Sequence, residues 1–305
     1  MTETATDIPL VAIVGPTAVG KTALAATLAE SVPVEVVSAD SRQCYRWMDI
    51  GTAKPLAERK QVQHHLIDIA DPDETVGLAQ FLQLAQAAIA NIAARRKLPL
   101  LVGGTGQYVR GLLQGWQVPE VPPDPALRAM LEQQSGEALW AQLLAQDPAA
   151  GDFIDPRNLR RVIRALEVIH ATGRPFSEQR RHIPPPYRVL QIGLTLERSA
   201  LYARADARVE AMMATGLPVE VENLLARGYG WELPSMSGLG YGQFRPFFAG
   251  QATLAEVAER IKLDTHDFIR RQYAWFRPNA PDIHWLSGDA NAPQAALRML
   301  DAFLQ

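Results

Sequence analysis

Cysteine is almost missing from these 305 residues. Cys44 stands alone, which excludes an internal disulfide, leaves too few thiols for a zinc centre and suits a reducing compartment. Lysine is nearly as scarce, five residues against 25 arginines, so positive charge is carried by planar forks that engage phosphates and bases. No apolar run reaches the length of a membrane span, and Met1–Asp7 is too short and polar for a signal peptide; a cytoplasmic protein with no membrane partner is expected. Charge of one sign is not in excess either. A formal net charge of −3 predicts no polyanion binding by itself, so a nucleic-acid surface has to be local. Length and a 48% hydrophobic content allow two domains, or one domain with a sizeable insertion, around a real core.

What is present starts with Leu10–Thr22, LVAIVGPTAVGKT. Gly15, four residues, then Gly20-Lys21-Thr22 fits the Walker A spacing. Glycines let backbone wrap an anion, successive N–H groups and the following helix N-terminus point at phosphate oxygens, and Lys21 adds a mobile positive charge. Thr22 offers a hydroxyl to a phosphate-bound Mg²⁺. The context agrees, because Ile8–Val14 predicts a buried strand and Lys21–Glu30 a helix with Ala and Leu inside. The stretch binds a phosphate or diphosphate.

Further strands are predicted at Pro33–Ser38, His64–Ile69, Leu98–Val102, Arg188–Leu194 and Asp282–Leu286. Helices are predicted at Thr75–Arg96, Ser199–Thr215, Val219–Arg227, Thr253–Phe276 and Pro293–Leu304. Alternation of this kind gives an α/β fold, a P-loop NTPase-like parallel sheet flanked by helices. The pattern changes between two proline-rich joints, Val118–Pro125 and Ile183–Pro186. Residues 118–186 read as an inserted all-helical domain, with helical stretches at Ala126–Ala145 and Pro156–Thr172. Residues 1–117 and 187–305 form the two parts of the core.

Ligands of parallel sheets collect at the carboxyl ends of strands. Gly15–Thr22, Asp40 and Gly103-Gly104-Thr105 all fall there. Asp40 can approach Mg²⁺ or act as a general base, or can simply cap the next helix; position alone does not separate these. The strand before Gly103 ends without the acid of a Walker B strand, which weakens an ATPase or GTPase reading and suggests that the diphosphate is a leaving group. Thr105 can bond a ligand or cap a helix. Adjacent His64 and His65 face opposite sides of a strand and do not share a metal; one is expected buried and bonded, the other free to line a site. Between Arg157 and Arg188 eight arginines stand against Glu167 and Glu178. Arg157, Arg160, Arg161 and Arg164 fall at helical spacing on a broad face, which reads as a surface for a nucleic-acid backbone. Phe268–Arg277, FIRRQYAWFR, interleaves arginines with rings that stack on bases or, as expected at least for Trp275, pack into the core. Met212 and Met213 read as helix packing.

These motifs together resemble the tRNA dimethylallyltransferases: GPTAVGKT at 15–22, ADSRQCYRWMDIGTAKP at 39–55, HHLIDI at 64–69, PLLVGGTGQYVRGLL at 99–113, NLRRVIRALEVIHATG at 158–173, GLGYGQF at 238–244 and RRQYAWFR at 270–277. The resemblance implies transfer of a dimethylallyl group from dimethylallyl diphosphate, with Mg²⁺, to N6 of adenosine 37, just 3′ of the anticodon. It implies a helical insertion gripping the anticodon stem-loop of tRNA and substrates entering a channel from opposite ends. Carried over, Asp40 is the general base and Thr105 assists catalysis at the diphosphate end. Gly15, Thr17, Ala18, Gly20, Lys21, Thr22 and Arg208 bind diphosphate, with Thr22 also at the metal. Ser41 and Gln43 hold the flipped adenine, and Arg160, Arg161, Arg164, Arg204, Arg270 and Arg271 face the RNA. A monomer of the bacterial type, without a zinc-finger-like extension, is expected. Gln63 and Gln107 depart from the family pattern, and the run Thr265–Gln272 is less basic than its counterparts, leaving less positive charge for RNA at that end.

Two rivals share the phosphate loop. A kinase using ATP needs lid arginines and an acceptor pocket in place of the motifs at 39–55 and 103–105. An isopentenyltransferase for free adenine nucleotides has no need of a 69-residue arginine-rich insertion.

Overall fold

The computed structural model describes residues 7–305; the expectation for Met1–Asp7 otherwise lies outside the described residues. In chain order the elements are β1 (Ile8–Val14), α1 (Lys21–Ala29), β2 (Val34–Ser38), β3 (His64–His65), α2 (Leu78–Ala94), β4 (Leu98–Gly103), α3 (Gly106–Leu113) and β5 (Trp116–Gln117). They continue with α4 (Pro125–Leu131), α5 (Gly136–Gln146), α6 (Leu159–Thr172), β6 (Arg181–His182), β7 (Tyr187–Thr195), α7 (Arg198–Ala214) and α8 (Leu217–Ala226). The last are α9 (Arg245–Phe248), α10 (Leu254–Trp275), β8 (His284–Ser287) and α11 (Ala292–Leu304).

One compact unit comprises the described residues up to Leu113 together with Pro186–Gln305. Its sheet has the order β3-β2-β4-β1-β7-β8 with every pairing parallel. Leu10–Val14 and Leu98–Gly103 are buried throughout, as central parallel strands covered on both faces must be. Register fixes the site. Ser38 pairs with Val102 and Val14 with Gly103, so β2, β4 and β1 deliver Asp40, Thr105 and the phosphate loop to one end of the sheet.

The third strand is shorter than its sequence predicts. Leu66 and Asp68 take left-handed backbone at φ 65° and 59°, ending β3 after two residues. The turn swings the Asp68 carboxylate onto Lys54 Nζ, 2.6 Å away, and Arg59, 2.7 Å away. Lys54 is buried and also donates to Asp49 and to the Tyr45 carbonyl, pinning the loop that follows β2.

At the other end of β2, Glu35 is buried between Arg95, Lys97 and His65, with contacts of 2.7, 2.8 and 2.7 Å. The hydrogen bonds from Arg95, then those from Lys97 and His65, outweigh burial and hold its carboxyl far below the usual range. A depressed carboxyl contributes stability above its unfolded value near pH 4.5, and that stability fades as pH falls through the folded value. Replacing Glu35 by Gln is expected to cost roughly 2 kcal/mol, the scale of a hydrogen bond to a charged group. It should also flatten the acid limb of stability below about pH 4.5. Urea melts of both proteins from pH 3 to 7 check this; parallel limbs would remove Glu35 as the cause.

The second unit is Gln114–Pro185, close to the predicted insertion but not all helical. Trp116–Gln117 and Arg181–His182 pair as an antiparallel ribbon, bringing together residues at the two ends of this unit. The predicted helical stretch Ala126–Ala145 is two helices, because Ser135 accepts from the Ala138 amide and starts α5 anew. Leu131, Leu139, Leu143, Val162 and Leu166 fill a core of the unit's own.

Candidate functional site

The phosphate loop is set by backbone that few side chains accept. A Cβ on Gly15, at φ +138°, would lie 2.4 Å from the Leu194 carbonyl oxygen, so only glycine permits the turn. Ala18 is left-handed at φ 63°, and Gly20 at φ 105° leads into α1, which has no acid in its first turn. The helix N-terminus is therefore left to an outside anion.

Lys21 Nζ donates to the carbonyls of Gly15, at 3.0 Å, and Pro16, at 2.7 Å. Burial lowers its ammonium to about 8; the Asp40 charge works against that shift and the Arg208 charge adds to it. Thr22, one residue on, borders the same polar cavity.

That cavity, about 150 Å³, reaches from Thr17–Thr22 past Asp40 to Glu58 and His64. A second, about 450 Å³, runs past Thr105 and Gly106 to Met212, Leu239, Phe268 and Trp275. The two share Thr17, Ala18, Asp40, Thr52, Ala53 and Arg208, of which Asp40 and Arg208 carry charge. A small polar chamber and a larger, more apolar one therefore meet at a carboxylate and a guanidinium.

Asp40 Oδ1 accepts from the Arg42 amide at 2.9 Å, an Asx turn that fixes the carboxylate without a helix to cap. Thr105 Oγ accepts from the Ser41 amide at 3.1 Å and lies 3.4 Å from the Ser41 hydroxyl. Ser41 and Thr105 both line the larger cavity. Arg208 donates to the Thr17 hydroxyl at 3.3 Å.

Other predicted residues stand differently. Gln43 accepts from Ser38 and donates to the Thr52 and Ala53 carbonyls, so its amide braces the loop and faces the small cavity rather than the larger one. Arg204 donates to the Gly288 carbonyl and lines neither cavity. Arg270 pairs with Asp267 and donates to Tyr202, also away from both. Arg271 does line the larger cavity.

In the second unit Arg160 and Arg161 are exposed on α6. Arg164 turns to the Val121 carbonyl at 2.7 Å, near the buried Glu167. Arg157 precedes the helix and is held by Asp155, so the predicted four-arginine face has two free members.

The histidines divide unexpectedly. His64 is both the buried, bonded one, with Nδ1 on the Val62 carbonyl, and the one that lines the polar cavity; His65 serves Glu35. Trp275 and Met212 are cavity walls as well as packing residues, while Phe276 takes the core position. Cys44 is buried, and desolvation, with the Asp40 charge adding, pushes its thiol up to about 12, an inert structural thiol.

Three residues have no obvious sequence signal. Glu220 accepts from the amides of Asp49, Ile50 and Gly51 and from the Tyr241 hydroxyl, holding the loop beside the cavities. Gln272 bridges the phosphate loop and the Gly104 turn. Lys54, inside the motif at 39–55, is wholly engaged by Tyr45, Asp49 and Asp68.

Comparison with known proteins places this geometry. The family model described as IPP transferase matches residues 43–279, and that described as isopentenyl transferase matches residues 8–71. A tRNA dimethylallyltransferase of Roseiflexus castenholzii is 64% identical, covering 93% of this chain and 94% of the relative. One from Dehalococcoides mccartyi is 44% identical, covering 97% and 93%. Among solved structures, the tRNA isopentenylpyrophosphate transferase of Bacillus halodurans aligns with a TM-score of 0.72 at 39% identity, covering 97% and 96% of the two chains. A eukaryotic dimethylallyltransferase described as acting on tRNA aligns at 0.84 with 28% identity, covering 98% of this chain and 80% of its own. A phosphate loop joined to an acid-bearing cavity, in a chain matched over nearly its whole length by such relatives, makes this protein a member of the tRNA dimethylallyltransferase family.

Proposed function

We propose that Asp40, Thr105 and the phosphate loop carry out, in this chain, the family's transfer of a dimethylallyl group from its diphosphate to a tRNA adenosine near the anticodon, specifically to N6 of adenosine 37. The observation that carries the assignment is the meeting of the two cavities at Asp40 and Arg208. The diphosphate occupies the polar chamber over Lys21 and the α1 N-terminus, and the adenine enters the larger one. N6 attacks the allylic carbon, the carbon–oxygen bond breaks with its electron pair going to diphosphate, and Asp40 takes the N6 proton. Lys21, Arg208 and the loop amides stabilise the departing charge. Thr105, tied to Ser41, lines the acceptor chamber and not the polar one expected for it at the diphosphate end.

Mg²⁺ suits this chemistry. Among the described residues no cluster of three or more His, Cys, Asp or Glu could hold a metal by itself. The oxygen donors that line the chamber near Thr22, including Ser38, Asp40 and Glu58, suit a small hard cation and would hold it together with the Thr22 hydroxyl. When bound, it adds positive charge to the leaving diphosphate.

Reaching a buried acceptor site requires the adenine to leave its stack, with the RNA gripped elsewhere. Exposed Arg160 and Arg161 on the inserted unit suit the anticodon stem-loop, and Arg271, Phe268 and Trp275 suit the flipped base and its neighbours. A cytoplasmic monomer is the corresponding setting; among the described residues no helix is long and apolar enough to cross a membrane.

Nucleoside mass spectrometry tests the reading. Unmodified tRNA, or AMP, is incubated with protein, Mg²⁺ and dimethylallyl diphosphate. A five-carbon group gained by the adenosine beside the anticodon is the expected result. Transfer to AMP alone would move the chain to the nucleotide branch, and ATP turnover without transfer would overturn the mechanism.

A further inference from the structure

The phosphate loop and the Gly104 turn come from separate strands, and one side chain joins them. Gln272, on the last full turn of α10, is buried, 4% exposed. Its Oε1 accepts the Thr17 amide at 2.8 Å and its Nε2 donates to the Gly104 carbonyl at 3.1 Å. The partners dictate the amide's orientation, since one is only a donor and the other only an acceptor. The fit is close: a Cβ on Gly104 would come within 2.2 Å of Nε2. Three residues on, Trp275 packs over Gly106, where a Cβ would meet its ring at 2.2 Å. The same helix walls the larger cavity with Phe268 and Arg271.

Two consequences follow. The Thr17 N–H belongs to the phosphate loop but is used by Gln272, so it is not offered to the diphosphate. The loop and turn leave adjacent strands whose register sets their spacing, and one amide on the helix that lines the acceptor chamber ties them together beyond the strand ends, where the leaving group meets Asp40 and Thr105. We propose that Gln272 is a positioning residue for the transfer: it holds the donor's diphosphate in register with the acceptor and does not contribute to diphosphate affinity. This rests on the assignment of Asp40 and the two chambers given above.

Positioning and affinity separate in kinetics, because a small misplacement of reacting atoms lowers the chemical step without loosening binding. In Gln272→Met the chain length is kept and both hydrogen bonds are lost. Its kcat should fall about 10²-fold, while KM for dimethylallyl diphosphate and calorimetric affinity for inorganic diphosphate stay within about threefold, the freed Thr17 N–H being available to the anion. Gln272→Glu supplies a rescue. Ionised, it sets a carboxylate oxygen against the Gly104 carbonyl; protonated, it recovers the donor and acceptor of the amide. Its activity relative to wild type should therefore rise as pH falls.

Thermal melts establish that each variant is folded. A folded Gln272→Met with wild-type kcat would overturn the proposal. So would a matched loss of diphosphate affinity and kcat, or a Gln272→Glu to wild-type ratio that does not change with pH. Should Gln272→Met not fold, the pH-dependent ratio of Gln272→Glu decides alone. Asp40→Asn in the same assay separates this from the underlying assignment. If that variant is inactive while Gln272→Met is normal, only the positioning role fails.

Discussion

Asp40→Asn is expected to lower kcat by about 10² to 10⁴, the range supplied by a positioned general base, while leaving the fold intact. The substitution is clean because the structural duty of Asp40 survives it. Its Oδ1 accepts the Arg42 amide, and an Asn carbonyl oxygen does the same, so the Asx turn and the following loop are retained. What is lost is the negative charge and the ability to take a proton from N6. The charge has a second effect: Asp40 raises the Lys21 ammonium against burial, so its removal should move any Lys21-dependent pH limb to lower pH. Single-turnover transfer to an anticodon stem-loop, with a thermal melt beside it, checks both. A folded Asp40→Asn variant with kcat within about threefold of wild type would remove Asp40 from the proton-transfer step.

Sequence alone reached the centre of this molecule because its chemistry is written in backbone-constrained motifs. Gly15 and Gly103 sit where a Cβ would clash with backbone and Gly20 where a positive φ disfavours a side chain, and such positions leave a fixed spacing. Buried parallel strands were legible for a related reason, since both faces need apolar residues: Leu10–Val14 and Leu98–Val102 could be little else. Legibility stopped where one polar side chain serves a distant segment. Nothing local in RRQ says that Gln272 reaches Thr17, 255 residues away. Nothing in a surface-like Glu220 says that it closes a turn 170 residues earlier. Helical spacing likewise put Arg164 with Arg160 and Arg161, but the buried Glu167 and the Val121 carbonyl draw it inward. Arg204 and Arg270 show the same limit, being turned to Gly288 and to Tyr202 with Asp267. Pattern places a residue on a face; only packing decides which partner it finds there.

Lys21 supplies the pH signature. Its ammonium is lowered by burial to about 8 and donates to the Gly15 and Pro16 carbonyls. The protonated form is the one that neutralises diphosphate, so capacity to bind the donor is full well below pH 8, half lost near pH 8 and declines further above it. Because kcat/KM reports groups of the free enzyme, kcat/KM for dimethylallyl diphosphate should fall above pH 8 with a slope approaching tenfold per unit. Arg208, which shares the chamber, stays charged throughout, so the decline should level off rather than reach zero. Lys21→Met removes the titrating group. It should cost about 10² to 10³ in kcat/KM at pH 7, the scale of one lost charge-stabilising donor, and its profile should lack the limb centred near pH 8. Initial rates from pH 6.5 to 9.5 for both proteins, at a fixed tRNA concentration well below saturation, make the comparison. A wild-type profile flat to pH 9.5, or a limb that persists in Lys21→Met, would assign the diphosphate's counter-charge to Arg208 and the loop amides instead.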